Sequence, residues 1–324
     1  MKVTLDMIHP ELRRSAAILK VISPPFNLTT NRLAYVLSGI KKGKTWTKLS
    51  YEQVFIDRAD GTKLRICIYR PQVRKENVLG LLWMHGGGYG IGFPEQVERF
   101  YEWFIEDSNC VIVSPDYTLS IHKPYPAALD DCYLALKWMK QHALELGINV
   151  NQLALGGESA GGGLCAALSL YARDQKEVEI AFQIPLYPML NDRNDTLSAK
   201  QNNAPVWNAK SNIKAWKIYL KDLYGTDDIP IYAAPFRNKN YQGLPPTITY
   251  VGTVDPFYDE TTIYINHLKN AGIATHYLSL DGCYHSFDIM QPKSKPALEA
   301  KEFLRTAFKY AVKNYFKEQK DFIK

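Results

Sequence analysis

Residues 156–163 read G-G-E-S-A-G-G-G, a serine set among five glycines, one glutamate and one alanine. A G-x-S-x-G match by itself arises by chance in about one protein of this length in ten, so its neighbours decide what it is. Leu153–Gly156 is a short apolar run of strand type, and Ala160–Arg173 has the spacing of a helix. The stretch is therefore a strand-to-helix turn, the setting that raises a serine hydroxyl above the end of a sheet. Such a turn leaves little room two positions before and two after the serine, and Gly157 and Gly161 carry no Cβ there. The start of the following helix offers free N–H groups to developing negative charge. A phosphate-cradling loop is the competing reading, but the G-x-x-x-x-G-K-[ST] arrangement is missing and no lysine follows.

Outward from this turn, the chain alternates strand-like and helix-like segments from about residue 50, the pattern of a mainly parallel sheet with helices on both faces. Val54–Arg58 and Lys63–Arg70 flank Asp60-Gly61, a two-residue hairpin signal. Val78–Met84, Cys110–Ser114, Leu153–Gly156, Ile180–Leu186, Thr247–Val251 and Thr275–Leu280 read as further strands, giving about eight. Helices are expected at about Glu95–Asp107, Ala127–His142, Ala160–Arg173 and Asp259–Ala271, with one more closing the chain. Residues 1–50 hold helical pieces broken by Pro24-Pro25, and residues 190–225 are polar, tryptophan-bearing and mixed. Both are expected to cap one end of a single domain spanning 51–324.

Ligands bind at the carboxyl ends of parallel strands, and three notable segments fall there: His85-Gly86-Gly87-Gly88, Ser159, and the loops holding Asp255 and His285. A serine nucleophile needs a base. Of seven histidines, His285 lies in a loop after the last strand, whereas His267 sits in a helix and His276 in a strand. His9, His122 and His142 lie away from the strand ends, and His85 introduces the glycine loop and is expected to orient it. The base needs a carboxylate to hold its tautomer. Asp255 follows the preceding strand, while Asp259 reads as a helix N-terminal residue and Asp281 precedes the histidine turn. The loop His85-Gly86-Gly87-Gly88-Tyr89 supplies backbone N–H groups that no side chain obstructs, and with that of Ala160 they make a three-donor hole for a tetrahedral oxyanion. A dinucleotide loop at Gly88-Tyr89-Gly90 is disfavoured because the G-x-G-x-x-G spacing is absent.

H-G-G-G-Y at 85–89, G-E-S-A-G-G at 157–162, D-P-F at 255–257 and H-S-F at 285–287 together resemble the hormone-sensitive-lipase-type α/β-hydrolases, the bacterial carboxylesterases in particular. The likeness runs from about residue 50 to the C-terminus. It implies the α/β-hydrolase fold, with Ser159 as nucleophile, His285 as base, Asp255 as its partner, and Gly87, Gly88 and Ala160 as oxyanion donors. The order Ser, Asp, His along the chain is that fold's order. The resemblance also implies no metal or organic cofactor, and a serine carboxylesterase cleaving short acyl esters (acetyl to butyryl) through an acyl-enzyme. An amidase or peptidase with the same triad is the alternative. A non-catalytic receptor on this fold is opposed by the presence of His285. Two departures stand out. The family usually has aspartate where this chain has Glu158, read here as a structural carboxylate favouring the helix N-terminus. The family's D-Y-R-L-A-P-E appears as Asp116-Tyr117-Thr118-Leu119-Ser120-Ile121-His122, which removes the usual ionic support near the glycine loop.

Composition fits this reading. Hydrophobic residues make up 46% and charged residues 22%, ordinary for a globular chain with a full core. No apolar run approaches the roughly 20 residues that span a bilayer, and the first ten residues lack the apolar core of a secretory signal, so a cytoplasmic protein without membrane contact is expected. Cys67, Cys110, Cys132, Cys165 and Cys283 form no metal-like pair and read as free, buried thiols. Nearly the whole net charge of +6 is expected to belong to residues 293–324, with nine basic and four acidic residues. There Leu304, Phe308, Ala311, Val312 and Tyr315 recur at helical spacing, making the basic residues a solvated face and not a nucleic-acid stripe. A small-molecule ester is the expected partner, with a homodimer as the family-level expectation.

Overall fold

The computed structural model describes residues 1–320. In chain order the elements are α1 (Pro10–Ile22), α2 (Leu28–Ser38), β1 (Ser50–Asp57), β2 (Lys63–Arg70), β3 (Val78–Met84), α3 (Glu98–Ser108), β4 (Val111–Pro115), α4 (Ala127–Gln141), α5 (Ala143–Leu146), β5 (Ile148–Glu158), α6 (Ala160–Gln175), β6 (Phe182–Leu186), α7 (Ala209–Leu220), β7 (Thr247–Gly252), α8 (Tyr258–Asn270), β8 (Thr275–Leu280), α9 (Phe287–Met290) and α10 (Lys295–Asn314). The strands form one eight-stranded sheet in the order β1-β2-β4-β3-β5-β6-β7-β8. β1, β2 and β4 pair antiparallel, and all other neighbours pair parallel. This is the mainly parallel sheet expected from the alternating segments, and the α/β-hydrolase architecture that the resemblance implies.

Central strands buried on both faces read as unbroken apolar runs, and β3, V-L-G-L-L-W-M, is one. Its side chains still alternate between two cores. Leu82 and Met84 join α4 and α6 on one face, while Leu79, Leu81 and Trp83 join α3 and α10 on the other. In α10, Leu304, Phe308 and Ala311 are buried, and Val312 and Tyr315 pack partly against the same core. The basic residues of this segment are not all a solvated face, however. Arg305 and Lys309 converge on Asp107, itself almost wholly buried. Asp321 and Lys324, counted in the charge of this segment, lie outside the described residues. All five cysteines are buried and unpaired.

Boundaries differ from those read in the sequence at several places. The β1–β2 hairpin is longer than a two-residue turn: Arg58 N–H still pairs with Thr62 O at 2.8 Å, leaving Ala59-Asp60-Gly61 as the tip with Gly61 at φ +81°. The helix after β3 is delayed by a 3₁₀ turn at Pro94–Val97. β5 begins at Ile148, five residues early, because its first residues pair with the start of β3 across a register shift.

Two segments lie over the carboxyl ends of the strands. Residues 1–49 reach them through His9 N–H to Gly282 O (2.9 Å), Ser15 Oγ to the Tyr284 hydroxyl (3.0 Å), and Phe26. The β6–β7 connection, residues 187–246, reaches them through Asn202 to Val254 O (3.2 Å) and through Trp207. Phe26 and Trp207 meet edge to face at 5.1 Å. No helix among the described residues is long and apolar enough to cross a membrane.

Candidate active site

Ser159 is the one residue between β5 and α6, and its backbone sits at φ 58°, ψ −119°, a conformation that costs a non-glycine residue on the order of 1–3 kcal/mol. The surroundings hold it there. Its N–H donates to Leu186 O (3.0 Å), and its carbonyl accepts from Gly163 (2.9 Å) and Met189 (3.0 Å). The flanking glycines are steric necessities: a Cβ on Gly161 would run into the Met84 carbonyl, and one on Gly157 would lie 2.5 Å from that same oxygen.

The structure brings Ser159, His285 and Asp255 into one chain of hydrogen bonds. Ser159 Oγ lies 2.8 Å from His285 Nε2, and His285 Nδ1 lies 2.7 Å from Asp255 Oδ2. Asp255 Oδ1 accepts from Phe257 N–H at 2.8 Å. The loops bearing the last two residues are laced together. Val254 N–H donates to Cys283 O (3.2 Å), Thr253 N–H to Leu280 O (2.9 Å), and Gly282 N–H to Thr253 Oγ1 (2.8 Å). Gly252 permits this approach, because a Cβ there would collide with the Cys283 carbonyl. Asp281 and Asp259 are engaged elsewhere, with Thr253 Oγ1 and Ser198 N–H. His276 contacts the Tyr315 hydroxyl and His267 stacks on Tyr241.

The glycine loop after β3 carries positive φ at Gly87 (122°) and Gly88 (57°). Among the described residues, no acceptor takes the N–H of Gly87, Gly88 or Ala160. His85 stacks on Tyr117 at 4.2 Å and places Nδ1 2.9 Å from Gly86 O. Burial pushes its pKa down to about 4, so the ring is neutral and Nδ1–H donates to that carbonyl.

Glu158 does not act at the helix N-terminus as the sequence suggested. Its side chain turns back toward β3, where Oε1 accepts from Gly86 N–H (2.5 Å) and Oε2 from the Trp83 indole N–H (2.9 Å). It thus ties the serine turn to the start of the glycine loop. Burial pushes its pKa up to about 8. Trp83 gave no signal within an apolar strand, since nothing in β3 marks one indole as a donor.

The ionic support absent from residues 116–122 is supplied from β2, the β1–β2 hairpin and Lys42. Arg65 on β2 pairs with Glu95 (2.7 Å) and Asp116 (3.1 Å), and Lys42 also reaches Asp116 (3.1 Å). Arg58 forks onto buried Asp131 at 2.6 and 2.9 Å, where Thr118 N–H and Oγ1 also donate at 2.7 Å each. Breaking a buried ion pair costs about 3–5 kcal/mol, and Arg58 retains 22% of its side-chain exposure. Arg58→Ala should therefore lose about 2–3 kcal/mol, read as a lower urea midpoint with unchanged slope. An unshifted midpoint would show that Thr118 alone satisfies Asp131.

Of the aromatic residues near the motifs, Tyr187, Phe257 and Trp207 surround the His285 ring at 5.1, 5.0 and 6.2 Å. Tyr89 instead stacks on Tyr219 in the core, and Tyr284 turns to Ser15. Asp288 is a further buried carboxyl that the motifs did not mark. Its Oδ2 accepts from Tyr250 (2.7 Å) and Tyr187 (3.3 Å), and burial raises its pKa.

Comparison with known proteins adds four findings. A family model described as alpha/beta hydrolase fold matches residues 81–289. The chain is 28% identical over 229 residues to the carboxylesterase NlhH of Mycobacterium tuberculosis, covering 70% of this chain and 72% of the relative. It is 32% identical over 235 residues to an arylesterase of Saccharolobus solfataricus, covering 69% and 73%. Among solved structures, a bacterial heroin esterase superposes with a TM-score of 0.86 at 30% identity, covering 96% of this chain and 99% of that one.

Proposed function

Because this chain belongs to the α/β-hydrolase-fold family, in its hormone-sensitive-lipase branch, and is a serine hydrolase of carboxylic esters, we propose that Ser159, His285 and Asp255 carry the reaction. The observation that supports the assignment is the relay of two hydrogen bonds, 2.8 and 2.7 Å, between three side chains each less than a tenth exposed. Ser159 Oγ attacks the ester carbonyl as its proton passes to His285 Nε2, and Asp255 stabilises the imidazolium through Nδ1–H. The oxyanion sits among the N–H groups of Gly87, Gly88 and Ala160. The alkoxide leaves with the proton from Nε2, giving an acyl-enzyme. A water deprotonated by the same nitrogen then releases the acid and restores Ser159.

The preferred acyl group is short, acetyl to butyryl. Phe26 and Trp207 support this: a Cβ on Gly88 would lie 2.5 Å from Trp207 and 3.0 Å from Phe26, so both rings close directly over an oxyanion donor. Residues 1–50 and 190–225, which contribute these rings, serve as the cap. On p-nitrophenyl esters, kcat/KM should fall by at least about tenfold from butyrate to decanoate, each lost contact of one or two methylenes being worth about 1–3 kcal/mol. Trp207→Ala should narrow that ratio. A flat chain-length profile in the parent enzyme would remove the short-acyl assignment.

A further inference from the structure

The cap helix α2 is turned inside out. Toward the protein it presents Asn31, buried, with Ala34, Tyr35 and Ser38 half-buried. Toward solvent it presents Leu33, Val36 and Leu37, and just beyond its end Ile40, at helical spacing and 56–68% exposed. Trp46 follows at 74%, and α1 ends on Ile18, Val21 and Ile22, also more than half exposed. A surface helix ordinarily buries its apolar stripe, and apolar stripes left in water mark an interaction surface.

Charge says what kind of surface. Residues 1–48 carry nine basic residues against Asp6 and Glu11. The positive excess is thus not confined to residues 293–324: it is larger here, and the residues between are net acidic. Lys20, Arg32, Lys41, Lys44 and Lys48 are exposed, and none pairs with a carboxylate among the described residues. A solvent-facing apolar stripe rimmed by lysine and arginine is the composition of a helix lying in a lipid interface. A second copy would set one strongly basic face against another, which like-charge repulsion opposes.

We propose that the outer face of residues 18–48 docks the enzyme on an anionic lipid surface, with Leu33, Val36, Leu37 and Ile40 entering the interface and the basic rim contacting headgroups. Lack of a membrane-spanning helix bears only on spanning. The docked orientation also has a use, and this part rests on the function proposed above. The link between α1 and α2, Ser23–Phe26, lines a cavity of about 560 Å³ shared with residues 201–206, 208–211 and 214. Phe26, on its wall, closes over Gly88. Docking sets that cavity beside the lipid, where apolar esters concentrate.

The test is flotation of the full chain with vesicles of phosphatidylcholine, with and without phosphatidylglycerol. The parent should bind the anionic vesicles at least about tenfold more tightly than the neutral ones, and less as salt rises. V36D/I40D and K41E/K44E should each weaken binding at least about tenfold, while hydrolysis of soluble p-nitrophenyl acetate stays within about twofold, a sign of intact folding. Ser159→Ala should float like the parent, so loss of the catalytic assignment would leave docking standing. No flotation, equal binding to both vesicle types, or double variants that bind like the parent would each overturn the proposal. So would a dimer in sedimentation equilibrium that V36D/I40D dissolves without any vesicle binding, which would give the face to a second copy.

Discussion

Ser159→Ala should lower kcat on p-nitrophenyl acetate by at least about 10⁴-fold, with KM near that of the parent. The expectation follows from the geometry of one oxygen. Oγ is the Ser159 atom hydrogen-bonded to His285, so its removal deletes the atom proposed to attack and leaves the turn, held by its backbone hydrogen bonds, in place. His285→Ala should cost about as much, and the double variant little more, because the two act as a unit. Asp255→Asn should cost about 10⁴-fold through the tautomer. An amide NH₂ facing Nδ1 forces that nitrogen to accept, and the ring proton moves to Nε2, which then cannot take the proton of Ser159. A fluorophosphonate probe should label Ser159 alone. Labelling elsewhere, or His285→Ala surviving where His276→Ala does not, would move the chemistry to other residues.

The parts of this site visible in the sequence share a physical origin: they sit where one local conformation admits few residue types. Gly157 and Gly161 face carbonyls that exclude any Cβ, so the turn is written as glycines. Asp255 and His285 follow strands closely enough for strand position alone to place them at one end of the sheet. What stayed hidden depends on register and reach. Arg65 meets Asp116 because β2 pairs antiparallel with β4, Ile66 opposite Pro115; nothing near residue 65 names its partner. The hairpin arginine Arg58 replaces support that the 116–122 stretch lacks, over a separation of 73 residues. Phe26 and Trp207 come from segments without strand alternation, and their meeting over Gly88 is a property of tertiary packing. The outward apolar face of α2 was visible as composition, but only solvent exposure separates it from a core stripe of the same spacing.

Glu158 is the place where pH should act on both stability and rate. Its carboxyl is fully buried, and burial is the largest influence on it. The donors Gly86 and Trp83 favour the charged form, while Asp288 opposes it, and the balance is a pKa of about 8. An unfolded glutamate titrates near 4.3. Between these values the folded chain holds the proton and the unfolded chain does not, so Glu158's contribution is full below about 4.3 and is lost as pH rises through about 8. Glutamine cannot titrate. Asp288, Glu260 and His85, whose pKa values burial also shifts, remain in both proteins and largely cancel in the difference. The stability advantage of the parent over Glu158→Gln should therefore shrink steadily toward alkaline pH in paired urea titrations. The variant should also be slower. A single amide oxygen accepts from Gly86 or from Trp83, and its NH₂ confronts the other donor. When Gly86 is the one released, Gly87 and Gly88 lose the anchor that orients the N–H groups proposed to meet the oxyanion. Misplacing one such donor costs about 10²–10³-fold in kcat, and KM should change little because the ester ground state hardly uses them. Parallel stability profiles would mean that the carboxyl stays ionised throughout, and an unchanged kcat would mean that His85 and Tyr117 hold the glycine loop without it.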